Sequence, residues 1–144
     1  MKVVKEEKQS LSWFKLAEFV HKKEKERALN LFRLLTHSLQ NKAFIKKLEA
    51  DILLSFDDQQ FIHLYVDAAH LYRMQGHIIE AVSIYQHLTI INPESIEYVE
   101  QTVALFKELS HEKKVIYYQK KLLLLLLKKE ATEKAIHLFE KLEN

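Results

Sequence analysis

His63, Asp67 and His70 stand at i, i+4 and i+7 of an apolar-periodic stretch, so a helix carries all three on one face. Two imidazoles and a carboxylate at that spacing form a metal-compatible set. No fourth ligand stands at a matching spacing, and three solvent-facing polar residues on a helix give the same pattern. The expectation is no metal and no cofactor. A helical-bundle metal-binding protein or enzyme centred on His63, Asp67 and His70 is the alternative.

Asp57 and Asp58 are the next candidates, because paired carboxylates perform general acid–base catalysis when both reach one substrate. Adjacent residues point apart, however, and this pair lies between two apolar stretches, where a carboxylate caps the following helix. Thiol chemistry is excluded, since the chain has no cysteine. Its only glycine, Gly76, rules out the G-x-G-x-x-G and P-loop phosphate cradles. No glycine-rich oxyanion loop accompanies any serine. A protein without catalytic activity is therefore expected.

Lysine pairs recur at Lys22-Lys23, Lys46-Lys47, Lys113-Lys114, Lys120-Lys121 and Lys128-Lys129. They are interleaved with Glu24, Glu26, Glu49, Glu112 and Glu130, and 22 basic against 20 acidic residues leave a formal charge of +2. An RNA-binding helical repeat is a further alternative. The interleaved acids weaken any polyanion-attracting field, so solvated helix faces and no nucleic acid are expected.

The elements that position these side chains are helices. One glycine and one proline, Pro93, stand among abundant Leu, Lys, Glu, Ile and Ala. Apolar residues recur at three- and four-residue spacing almost throughout. The pattern predicts an all-α chain of about eight helices. They span about Gln9–Lys22, Lys25–Leu39, Lys42–Phe56 and Gln59–Gln75, then a fifth ending near Ile91, then Glu94–Leu109, Glu112–Lys128 and Ala131–Leu142. Gly76 marks a left-handed helix stop, and Asn92-Pro93 ends the fifth helix. Ser110-His111 and Lys129-Glu130 are the other proposed breaks. The last helix carries Ala135, Leu138, Phe139 and Leu142 as its apolar stripe.

A repeat runs through this pattern. Tyr65, Ala68-Ala69, Tyr72, Ala81, Tyr85 and Pro93 follow one another at the spacings of Trp, Leu-Gly, Tyr, Ala, Phe and Pro in the tetratricopeptide repeat, which residues 62–95 resemble. A weaker copy covers 96–129, with Phe106, Ser110, Val115 and Leu122 at matching positions. A divergent copy covers about 9–41, with Trp13, Leu16-Ala17, Val20, Ala28 and Phe32. Trp13 and Tyr65 occupy the same slot yet lie 52 residues apart, about one and a half repeats. First-helix and second-helix labels therefore do not hold uniformly along the chain.

The resemblance implies antiparallel helical hairpins stacked in a short right-handed solenoid, one domain over 1–144. It implies a protein–protein interaction module, an adaptor or chaperone-like holder that takes a peptide or helix of a partner. The groove it implies is built from His63, Val66, His70 and Arg73, then Glu97, Glu100 and Lys107. The asparagines of a carboxylate clamp are absent from that face.

Leu122–Leu127 makes a helix apolar on all sides, and such a helix is expected to be buried. Where burial is incomplete, Leu123, Leu124 and Leu127 are the candidates for self-association. The run is far below the ~20 residues of a bilayer span, so no membrane segment is expected. Residues 1–10 lack the apolar core of a signal peptide. A cytoplasmic protein is the expectation.

Overall fold

The computed structural model describes residues 2–143, and the side chains of 142 and 143 lie outside that description. Among the described residues there are seven α-helices and no strand. They are α1 (Lys2–His21), α2 (Lys25–Thr36), α3 (Lys42–Ser55), α4 (Phe61–Met74), α5 (Ile78–Ile91), α6 (Ile96–Glu108) and α7 (Glu112–Glu143). The all-α expectation holds, with one helix fewer than eight. The predicted break at Lys129-Glu130 is absent, because α7 runs through it for 32 residues. Neither glycine nor proline stands there, and no residue at that point takes a positive φ.

The ends of α1, α3, α4 and α6 share one geometry. Lys23, Asp57, Gly76 and Ser110 have φ of 60°, 54°, 81° and 54°. At three of them the paired bonds of a Schellman cap are formed. Glu24 N–H donates to Phe19 C=O (2.9 Å) and Lys23 N–H to Val20 C=O (3.1 Å). Asp58 and Asp57 repeat this on Leu53 and Leu54, and His111 and Ser110 on Phe106 and Lys107. Lys23 and Asp57 are 34 residues apart, and so are Gly76 and Ser110. The two series are offset by 19 residues. That offset is the phase conflict between Trp13 and Tyr65. α4 follows one stop and precedes another.

The chain divides into two compact units, Met1–Gln75 and Gly76–Asn144, with the boundary inside the 62–95 repeat. In the first, α1 packs on α2 and α3 on α4, and α2 touches α3. In the second, α5 packs on α6 and α6 on α7. Connections of three to five residues within these pairs make neighbours antiparallel. Leu16, Phe32, Leu35 and Ile52 are buried in one cluster of the first unit, with Trp13, Phe19 and Leu48 packed against it. In the second, Ile84, Leu88, Val99, Leu105 and Phe106 are buried, and Phe106 stacks on Tyr118 at 5.7 Å.

The capping reading is correct for one carboxylate. Asp58 accepts Gln60 N–H at 3.0 Å on the turn into α4, whereas Asp57 is the left-handed residue that ends α3. Ala68, Ala69 and Ala81, the small residues of the 62–95 repeat, are fully buried.

Two outcomes check this account by urea denaturation. Ala69→Leu or Ala81→Leu should destabilise the fold by about 1–3 kcal/mol through overpacking; wild-type stability in both means there is room beside these alanines. Ser110→Gly should stabilise by about 0.5–1 kcal/mol by relieving left-handed strain, and a loss of stability would contradict the helix-stop assignment.

Candidate functional site

α7 is about 48 Å long at 1.5 Å rise per residue, while its neighbour α6 has 13 residues and reaches about 20 Å. Only the first part of α7 is covered. Tyr118 is buried, and Val115, Leu122 and Leu125 are half-buried. Leu123 is 57% exposed, Leu124 66%, Leu126 44% and Leu127 53%. The expected burial of the whole leucine run is therefore incorrect. It required a following helix that turned back, and the chain instead continues straight. Ile136, Leu138 and Phe139 are exposed further along; Leu142 lies outside the described side chains.

Beside the run lies a concavity of ≈ 280 Å³ lined by Thr89, Pro93, Val99, Leu124 and Leu125. Glu94, Lys121 and Lys128 also line it. Lys128 Nζ donates to both Glu94 carboxylate oxygens, at 2.9 and 3.0 Å. Lys121 lies over the Tyr117 ring at 5.2 Å. The polar groups of this mostly apolar hollow are thus Lys121 and the Lys128–Glu94 pair.

The groove residues expected from the repeat fall into two sets. His63, His70 and Arg73 are exposed on α4 and Val66 is half-buried there, all in the first unit. Glu97, Glu100 and Lys107 are exposed on α6, in the second unit. Each set lies along its own helix. Asp67 faces Lys46 at 3.5 Å. Among the described residues no group of three or more His, Cys, Asp or Glu side chains is arranged to hold a metal, so His63, Asp67 and His70 do not converge. No described helix is long and apolar enough to cross a membrane.

A second hollow, ≈ 450 Å³, lies in the first unit, where Trp13, Leu16 and Val20 of α1 face Leu48 and Ile52 of α3. Asp51 lines it and accepts the Tyr65 hydroxyl in a short bond and Lys47 Nζ at 2.8 Å. The sequence reading passed over Asp51. Its signal was an acid one residue from Ile52 and three from Leu48, on an otherwise apolar face. Burial, and the bond to Asp51, push the Tyr65 phenol well above its ordinary value of 10.

No protein-family model matches the chain, and no curated protein matches it.

The Tyr65 environment gives a signed pH effect. The unfolded chain loses this proton first, so the native state's advantage is complete below about pH 10 and declines as pH rises above it. Tyr65→Phe should flatten that decline in urea midpoints taken between about pH 9 and about pH 11. An unchanged slope in the variant would show that Tyr65 does not keep its proton through that range.

Proposed function

We propose that the protein is a non-catalytic binding module that holds a peptide or helix of another protein, in the manner of an adaptor or small chaperone. One observation carries this reading: the exposed leucines of α7 beside an apolar hollow. A contiguous apolar surface of that kind is costly in water and marks an interaction face on folded proteins. Covering it is worth ~25 cal/mol per Å². The helical-repeat likeness supports the same class, since such arrays present surfaces and not reaction centres. The exposed charges of α6, in the same unit as α7, supply polar contacts for a bound segment. A cysteine-free chain suits a cytoplasmic setting.

Leu124→Asp with Leu127→Asp tests the site. Both positions are more than half exposed, so stability should change by only ~0.5 kcal/mol. Cross-linking in cytosol should capture a discrete partner with the wild-type chain and lose it with the double variant. Sedimentation at several concentrations shows whether that partner is a second copy. Identical capture by both proteins, or unfolding of the variant, would remove α7 as the binding face.

A further inference from the structure

We infer that α7 docks an acidic amphipathic helix of a partner protein, along an apolar strip flanked by lysines. The inference rests on the binding-module reading and adds the chemistry of the partner. Tyr117, Leu124, Ala131 and Leu138 recur every seven residues on one uninterrupted helix and so form one row. Tyr117 is 51% exposed, Leu124 66% and Leu138 61%.

On a helix, the neighbours of each residue are those three and four positions away. For Tyr117 these are Lys113, Lys114, Lys120 and Lys121, all cations. For Leu124 they are Lys120, Lys121, Leu127 and Lys128. Ala131 adds Lys134, and Leu138 adds Lys141. Every glutamate of α7 falls elsewhere: Glu112, Glu130, Glu133, Glu140 and Glu143 are never three or four residues from a member of the row. Lys128 is paired with Glu94 and Lys134 with Glu130, so the positive charge of this face concentrates at Lys113, Lys114, Lys120 and Lys121.

That segregation selects the occupant. A second copy docking row on row would set lysine against lysine, which opposes pairing. A nucleic acid strand would satisfy the lysines and leave the leucines facing phosphate. A partner helix with leucines along one seam and glutamates on both flanks satisfies both, as flanking charges do in paired helices. A bilayer would cover Leu123, Leu126 and Leu127 as well, but it offers no side chain to fill a hollow. The ≈ 280 Å³ hollow at Leu124 and Leu125 has room for a protruding side chain.

The test is fluorescence anisotropy with the full chain and a labelled four-heptad peptide that carries leucine in its seam and glutamate on its flanks. A twin with lysine flanks, and vesicles of phosphatidylserine with phosphatidylcholine, are the other arms. The glutamate peptide should bind about tenfold more tightly than the twin, less so at high salt. Lys120→Glu with Lys121→Glu should reverse the preference. Equal affinities would overturn the acidic partner and leave the binding module standing. Vesicle binding without peptide preference would reassign the face to lipid. Failure of both peptides would also overturn it, while partner capture by wild type against Leu124→Asp with Leu127→Asp judges the binding module separately.

Discussion

Three packed helix hairpins, α1–α2, α3–α4 and α6–α7, turn at a residue with a left-handed backbone, and among the described residues a fourth such residue follows α4. Just one of them, Gly76, is glycine; Lys23, Asp57 and Ser110 take φ near 54–60° at a cost of about 1–2 kcal/mol each. The Schellman bonds at those three ends offset part of that cost by satisfying carbonyls that a helix end otherwise leaves open. Three hairpins depend on these stops, at Lys23, Asp57 and Ser110, where the next helix folds back on the one before it; α5 turns into α6 through Asn92-Pro93 with no left-handed residue. After Lys128 none exists, and α7 carries its leucines out into solvent.

The stops also set the 34-residue register that side chains then reinforce. Lys23 Nζ reaches the Ser55 carbonyl, and Lys25 Nζ meets Asp58 at 2.7 Å, 33 residues on. In the second unit Gln86 donates to the Tyr118 hydroxyl at 3.1 Å, and Lys128 pairs with Glu94, 34 residues back. Residues 32 to 34 positions apart thus touch each other, as expected when each repeat packs on the next. The exposed ion pairs among these contribute little energy. Burial of Phe32, Ile52, Leu88 and Phe106 supplies the stability, and the polar pairs fix which residue sits beside which.

Function follows from what the stops leave uncovered. The first unit surrounds its hollow with Trp13, Leu48 and Ile52 and anchors Asp51 to Tyr65 and Lys47. The second unit ends in a helix far longer than the one it packs on. Its apolar row and its lysines share one surface, so a partner must meet both. The polar triad His63, Asp67 and His70 remains a solvated face, with Asp67 turned to Lys46.

Much of the fold was legible from the residues. Scarce glycine and proline with 3.6-residue periodicity determined an all-helical chain, because local propensity and pattern agree along nearly its whole length. Gly76, Pro93 and the buried Ala68, Ala69 and Ala81 were readable for the same reason: their chemistry permits few environments. Lys23, Asp57 and Ser110 were not readable as left-handed residues, since nothing in a lysine, aspartate or serine side chain demands positive φ. Only packing imposes it. The leucine run shows the limit most clearly. Six leucines specify a strong apolar helix, but burial is a relation between that helix and a neighbour. Whether a neighbour returns was decided by the continuity of α7 through Lys129 and Glu130 in the folded chain.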